Sequence, residues 1–144
     1  MADAKISALS ALTGPNIATA TDFLALVDTS VSETKKVTPA ALMSVPQNSQ
    51  NAGYTLVAGD AGKHIYMATA GTFTIPANAS VAYDIGTAVT FVNLTTACTI
   101  PITSDTMYLA GVGTTGTRTL AQYGIATALK VGATTWIISG TGLS

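Results

Sequence analysis

The sequence predicts an all-β fold, namely an antiparallel β-sandwich of the jelly-roll type with a small strand-and-helix module at its N-terminal end. Short segments rich in Thr, Val and Ile recur about every ten residues, as they do in sandwiches and jelly rolls. Several of these segments alternate polar and apolar residues with the period of two that a half-buried strand requires. Turn-forming residues separate them and helical segments do not alternate with them, so we do not expect an α/β fold.

The first predicted unit is the N-terminal module, residues 1–45. Residues 23–27 favour a strand, residues 28–32 favour a turn because Asp and Ser side chains bond to nearby backbone, and residues 34–37 favour the returning strand. A short helix is expected after Thr38, which can cap it, because Pro39 in the first turn loses no required hydrogen bond. Residues 46–53 are polar without periodicity, so we expect a linker there.

The second predicted unit is the sandwich of residues 54–144, with about eight short strands. We expect these strands within residues 54–57, 64–68, 72–76, 87–93, 98–102, 107–109, 124–131 and 135–139. Cys98 is interpreted as a small buried hydrophobe, since a single cysteine cannot form an intrachain disulfide. Trp136 is the largest apolar side chain, and we expect it to fill the core rather than to bind a ligand.

The composition combines a high apolar content with very little charge. Hydrophobic residues make up 48% of the 144 residues and charged residues 9%, whereas the usual charged share is about 25%. This composition argues against disorder, and no apolar run approaches the roughly 18 residues of a membrane span. The net charge is −1 and Lys35-Lys36 is the only adjacent basic pair, so we expect no nucleic-acid partner. Because charged residues are depleted in interface cores, we expect an oligomer.

The sequence offers little catalytic chemistry. His64 is the only histidine and no Cys/His cluster exists, so the ligands of a structural zinc site are lacking. Glu33 is the only glutamate and the aspartates are scattered, so no carboxylate pair of a glycosidase is indicated. The Gly59 to His64 segment departs from the phosphate-loop pattern, and we interpret it as a turn. We therefore predict no catalytic, cofactor-binding or metal-binding residues, and no cofactor.

Two sets of motifs resemble proteins of phage particles. KISAL at residues 5–9, TDFLALVD at 21–28 and TKKVTPAAL at 34–42 resemble the segment that begins many phage tail-fibre and head-appendage proteins, with Ala25 where a proline often stands. In that family the segment attaches the protein to the particle. The resemblance implies that virion-anchoring residues lie in this segment. They are Asp22, Leu24, Leu26, Asp28, Thr34, Lys35, Lys36 and Val37.

The second set lies in the predicted sandwich. YTLVAGDAGKHI at residues 54–65, FTIP at 73–76, IGTAVTFVN at 85–93, ATALKV at 126–131 and WIISG at 136–140 are similar to a β-sandwich module of phage fibre and capsid-decoration proteins. Those proteins are usually homotrimers. The resemblance implies a virion structural protein, assembled in the host cytoplasm, whose partners are its own copies and the major capsid protein or a tail or adaptor protein.

Three hypotheses follow for the role. The first is a non-enzymatic homotrimer that decorates the capsid or forms a head fibre, favoured because no long shaft or tip follows the sandwich in this sequence. The second is a short tail fibre or adaptor whose sandwich binds host glycans, with stacking faces supplied by Tyr54, Tyr66, Tyr83, Tyr108 and Tyr123. The third, least favoured, is an enzyme such as a depolymerase, against which the sparse titratable residues argue.

Overall fold

The computed structural model describes residues 24–28 and 33–144 of the chain. This described part is 51% strand and 7% helix, which confirms the all-β class. The chain divides into two compact units, Met1–Ser44 and Val45–Ser144.

The first unit contains a β-hairpin and a short helix. Strand β1 (Leu24–Asp28) pairs antiparallel with β2 (Glu33–Val37), and Leu24 lies opposite Val37. Helix α1 (Pro39–Met43) begins after Thr38, whose side-chain oxygen accepts a hydrogen bond of 3.2 Å from the backbone nitrogen of Ala41. The strand pair and the capped helix are as the sequence predicts. The KISAL segment, Asp22 and most of the predicted turn lie outside the described residues.

The segment predicted as a linker contains a strand, so that prediction is wrong for residues 47–50. Strand β3 (Gln47–Gln50) pairs in parallel with β5 (His64–Met67), and Gln47 lies opposite His64. Strand β3 ends the order of its sheet, where a strand needs little apolar content. Its polar side chains are also used, since Asn48 Nδ2 donates to the Asp60 carboxylate at 2.8 Å.

Each of the eight segments predicted after residue 54 contains a strand. Their bounds are β4 Tyr54–Thr55, β5 His64–Met67, β6 Phe73–Thr74, β7 Ala88–Asn93, β8 Cys98–Ile100, β9 Thr106–Leu109, β10 Arg118–Gly132 and β11 Thr135–Leu143. Strand β10 is far longer than predicted, because it begins six residues before the predicted start, and its first three residues, Arg118 to Leu120, pair with β8.

The sheets are mixed, whereas the sequence predicts antiparallel pairing. The main sheet has the order β3-β5-β7-β10-β11-β9, in which β3/β5, β5/β7 and β9/β11 are parallel pairs. Along the chain, β4 lies between β3 and β5, and β6 lies between β5 and β7. In the same way, β8 follows β7. These three short strands lie outside the row of main-sheet strands given above. Strands β4 and β6 are themselves parallel, and single parallel bridges join Thr72 to Thr99 and Ile75 to Ile102. Parallel neighbours require such crossover connections.

Strand β10 links the two sets of strands. Its first residues pair with β8, with Leu120 opposite Cys98, and its later residues pair with β7, with Ile125 opposite Val92. Between Leu120 and Ile125 the partner strand β11 advances only from Leu143 to Thr141, so β10 bulges there. A bulge bends the strand and increases its twist, which lets one strand take part in both sets.

One hydrophobic core holds the second unit together. It combines residues of the main sheet, such as Ile65 and Phe91, with residues of the shorter strands, such as Phe73 and Ile100. Cys98 and Trp136 are both buried in it, as predicted. The edge of Tyr83 meets the Trp136 ring at 5.7 Å between centroids and 88° between planes, a favoured aromatic geometry.

Candidate assembly surfaces

The main sheet has one face that points away from the core. Along β10 the side chains alternate, so that Ala126 and Ala128 are buried while Ile125 and Leu129 are exposed. The strand register extends this alternation across the sheet. We call the outer face the surface formed by Gln47, Ser49, His64, Tyr66, Ala88, Thr90, Val92, Tyr108, Ile125, Thr127, Leu129, Val131, Ile137, Ser139 and Thr141.

The outer face carries no Asp, Glu, Lys or Arg. Aliphatic side chains open to solvent lie on both sides of the row formed by Thr90, Thr127 and Ser139, because Ile125 is 49% exposed, Leu129 41% and Ile137 38%. Isolated exposed apolar residues are ordinary, but Leu129 lies directly opposite Ile137, and Ile125 lies opposite Val92. An uncharged face of this kind loses little hydration energy when another surface covers it.

Some polar side chains on the outer face form hydrogen bonds with one another. The hydroxyl oxygens of Thr90 and Thr127 lie 2.9 Å apart, and Gln47 Nε2 lies 3.1 Å from His64 Nε2. His64 is thus a half-buried, hydrogen-bonded residue of strand β5. When another protein surface covers these hydrogen-bonded pairs, few polar groups lose a partner.

A shallow groove of about 280 Å³ opens on this face, lined by Val45, His64, Thr90, Val92 and Ile125. Pockets for small organic ligands are usually larger, about 300–1,000 Å³, and more enclosed. The groove has the size and the apolar lining to accept one or two side chains of a neighbouring protein.

Charge is scarce elsewhere on the second unit as well. Its charged residues are Asp60, Lys63, Asp84, Asp105, Arg118 and Lys130. Three of them, Asp60, Arg118 and Lys130, are buried. The surface of this unit is therefore even less charged than the composition suggests.

The buried Asp60 organises the turn that follows β4. Its carboxylate accepts hydrogen bonds from Asn48 Nδ2 at 2.8 Å, from the Tyr54 hydroxyl at 2.9 Å and from the Val57 backbone nitrogen at 2.9 Å. The Tyr83 hydroxyl donates to the Val57 carbonyl at 2.5 Å. Burial, and then the negative charge of Asp60, raise the pKa of Tyr83 above its usual range. These contacts indicate a structural role for the carboxylate.

Tyr54 belongs to the same network. Burial raises the pKa of its phenol, and the hydrogen bond to Asp60 raises it further, while Asn48 acts in the opposite direction. Its hydroxyl is thus engaged within the fold.

The structure brings the candidate anchoring residues into one hairpin, with the exception of Asp22, which lies outside the described residues. Leu26 lies opposite Lys35, and Asp28 opposite Glu33, next to the pair of Val27 and Thr34. Leu24 is 51% exposed, Lys36 is exposed and Val37 is half-buried.

Helix α1 adds two exposed apolar side chains, Leu42 at 55% and Met43 at 78%. We do not predict these two exposed residues from the sequence. The signal that could indicate them is a helix of five residues that ends in two large apolar residues and is too short to bury them.

The tyrosines proposed as a glycan-stacking surface are not assembled into one. Tyr83 is buried and Tyr54 bonds to Asp60, whereas Tyr66 lies on the outer face. Tyr108 pairs with Ile137 at one edge of the sheet, and Tyr123 lies at the β10 bulge, 75% exposed and with a φ of 61°. Tyr108 lies beside Ile137, which is opposite Leu129, and Leu129 is six residues along β10 from Tyr123. Because six residues of a strand span about 20 Å, Tyr108 and Tyr123 are about that far apart.

Among the residues that the structure describes, no cluster of three or more His, Cys, Asp or Glu side chains could hold a metal ion, and no helix has the length and apolar character to cross a membrane. The side-chain amide nitrogen of Asn93 donates to three backbone carbonyls at 3.0 Å, those of Thr96, Leu120 and Ala121. Comparison of the sequence with protein-family models and with curated proteins gives no match.

Proposed function

We propose that this protein is a non-enzymatic structural protein of a phage particle, a homotrimer that decorates the capsid or forms a head fibre and is anchored by its N-terminal module. The observation that carries the proposal is the outer face, an exposed sheet surface with several exposed aliphatic residues and no charge. The resemblance of both units to phage fibre and decoration proteins supplies the context in which such a face is used.

In this proposal, the outer faces of three copies turn toward one another. The six strands that carry the outer face lie about 4.8 Å apart, and about five residues of each, at about 3.3 Å per residue, give a face of about 400 Å². This is half of the roughly 800 Å² that each partner contributes to a standard interface. The N-terminal modules and the particle surface provide the remainder. The groove beside Val92 and Ile125 receives a side chain of the adjacent copy.

For the second unit we propose a β-sandwich as the display domain. The shared core of the main sheet and the shorter strands supports two layers, and β10 passes from one to the other at its bulge. The jelly-roll order predicted from the sequence is not part of the proposal, because the parallel pairs differ from that topology.

The partner of the N-terminal module in this proposal is the major capsid protein. The half-exposed Leu24 of the hairpin and the exposed Leu42 and Met43 of α1 are apolar groups that a partner surface would cover. Covering such side chains removes apolar surface from water, which favours association.

Electron microscopy of particles assembled without this protein tests the proposal. We expect heads that lack their surface projections, with complete tails, and restoration when the protein is supplied. Loss of tail appendages would contradict the head location and favour a short tail fibre or adaptor. Particles unchanged in every part would contradict a virion role.

A further inference from the structure

The second unit holds a buried lysine whose surroundings are unusual. Lys130 lies in the inward-facing row of β10 and is 1% exposed. Its partners in the described part of the chain are the Asn78 side-chain oxygen, 2.5 Å from Nζ, and the Trp136 ring, whose centroid is 5.8 Å away. A lysine ammonium has three N–H donors and a full charge, so one acceptor and one ring leave it poorly compensated.

A buried charge without an ionic partner is among the most destabilising features of a protein interior. Conversion of the amine to an amide would remove this charge and leave a single N–H, which suits the sparse surroundings. The partner needed for that conversion is already in place. Because a C=O bond measures about 1.23 Å, the Asn78 carbonyl carbon lies within about 3.7 Å of Lys130 Nζ, close to the separation of reacting atoms in near-attack arrangements.

We infer that Lys130 and Asn78 form an intramolecular isopeptide bond, which is a modification site within the core. Lys130 Nζ attacks the Asn78 Cγ atom, a C–N bond forms, and the C–Nδ2 bond breaks. The ammonium group of Lys130 gives up two of its three protons, and both leave with Nδ2 as an ammonium ion. Atoms and charge therefore balance without an oxidant, a reductant or a co-reactant. The inference does not depend on the proposed function.

The surroundings favour this reaction over hydrolysis. Trp136 and Tyr83 are both buried, and their edge-to-face contact forms an apolar wall next to the amine. A desolvated lysine amine is a stronger nucleophile than one in water, and exclusion of water protects the intermediate. The Trp136 indole nitrogen is buried with no hydrogen-bond partner among the described residues.

We assign Asp105 as the group that carries the two protons in turn from the amine to the departing nitrogen. Its Oδ2 accepts a hydrogen bond of 3.0 Å from the backbone nitrogen of Asn78, which brings a carboxylate to the reacting residue. A carboxylate within hydrogen-bond reach of the transferred proton, directly or through one water, can act as a general base and acid. The bond would tie β10 to the segment after β6, closing a loop between residues that are 52 positions apart.

Mass spectrometry of the intact, purified full-length protein tests the inference. We expect a mass lower than that of the sequence by one molecule of ammonia. Trypsin should no longer cleave after Lys130, and the peptide that contains Asn78 should be joined to the one that contains Lys130. A full sequence mass with normal cleavage after Lys130 would overturn the inference. Ammonia loss with normal cleavage would also overturn it, because a succinimide at an asparagine gives that result.

Substitutions at Lys130, Asn78 and Asp105 test which side chains form the isopeptide bond and which one assists it. Lys130→Arg keeps the charge but cannot form the amide, and Asn78→Ala removes the acceptor carbon, so both should have the full sequence mass. Lys63→Arg is the matched control and should retain the ammonia loss. Asp105→Asn should leave a measurable fraction of the protein without the bond, and complete bond formation in that variant would overturn the assignment of Asp105 alone.

Discussion

At the scale of the residue, the polar groups inside the second unit determine its local structure. Asp60 is 1% exposed and accepts three hydrogen bonds, from a side chain of β3, a side chain of β4 and the backbone of the turn itself. It thereby connects three pieces of chain with a single carboxylate. Hydrogen bonds to a buried charged group are among the stronger ones in proteins.

Asp60→Ala should therefore destabilise the fold markedly. Removing the carboxylate leaves the donors of Asn48, Tyr54 and Val57 without their acceptor, and we expect a loss of about 2 to 4 kcal/mol in the free energy of unfolding. Urea denaturation measures it. Asp84→Ala is the matched control, because Asp84 is exposed, and its loss should stay below about 0.5 kcal/mol. Equal stabilities of the two variants would contradict the structural role of Asp60.

The raised pKa of the Tyr83 phenol should make the free energy of unfolding decrease at alkaline pH. Burial and the Asp60 charge raise the pKa of its phenol above the ordinary 10.0 in the folded chain. Below pH 10 the phenol is protonated in both states and its contribution is complete. Above pH 10 the unfolded chain loses this proton while the folded chain keeps it, so stability falls by at most about 1.4 kcal/mol per pH unit.

Tyr83→Phe should reduce that alkaline slope, with Tyr54 accounting for part of what remains because burial and its hydrogen bond to Asp60 raise its pKa too. Urea denaturation from about pH 8 to about pH 11 measures the slope. Tyr123→Phe serves as control, since Tyr123 is 75% exposed, and should leave the slope unchanged. A slope unaltered by Tyr83→Phe would contradict the account of this network.

The sequence predicts some of these residues and not others. The burial of Cys98 and Trp136 follows from their apolar character. The burial of Asp60 and Lys130 does not, because charged side chains are usually exposed and their partners are distant in sequence, 52 positions away for Lys130 and Asn78. Only the folded chain shows which charge has a partner.

At the scale of the element, the hairpin of β10 and β11 determines how the two sets of strands join. Gly140 lies opposite Ala126 in this hairpin, and a Cβ atom added to it would come within 2.5 Å of the Ala126 Cα atom and would also meet the Ile125 carbonyl. The backbones approach so closely next to the bulge that no side chain fits between them.

Gly140→Ala should therefore destabilise the protein by about 3 kcal/mol, because the added methyl must displace backbone atoms of β10. Thermal denaturation gives the comparison. Gly59→Ala is the matched control, since nothing lies within 4 Å of its added Cβ, and its effect should stay below about 1 kcal/mol. Comparable melting temperatures for the two variants would show that the strands do not approach as described.

The elements themselves are largely predictable and their arrangement is not. Alternation and turn residues locate the strands after residue 54, because both are local properties. Alternation reveals which residues share a face but not the direction of the neighbouring strand, so the parallel pairs of β5 with β3 and β7 were missed. The polar residues of strand β3 predict a linker, because the side chains of an edge strand need not be apolar and therefore leave no strand pattern in the sequence.

At the scale of the whole molecule, the scarcity of charge acquires a structural explanation. Half of the charged residues in the second unit lie inside it, and the outer face has none. A surface this short of charge suits a protein that is covered by neighbours. The sequence predicts an oligomer from composition alone, but it does not locate the face, since that requires the register of β7, β10 and β11.

A charge placed at the centre of the outer face should separate the subunits without unfolding them. Leu129 is 41% exposed in the single chain, so Leu129→Lys is compatible with the fold but would bury an unpaired ammonium in the assembly. We expect size-exclusion chromatography to show monomers and circular dichroism to stay unchanged. Val112→Lys is the matched control, because Val112 lies in the loop between β9 and β10 and is 67% exposed, and this variant should remain assembled. Intact assembly of the Leu129→Lys protein would show that the outer face is not the interface.

The mass of the unmodified full-length protein in solution tests the central claim most directly. Sedimentation equilibrium over a wide range of protein concentration measures this mass independently of molecular shape. We predict three times the 14.5 kDa mass of the chain, maintained on dilution into the low micromolar range. The mass of a single chain at every concentration would contradict assembly through the uncharged outer face.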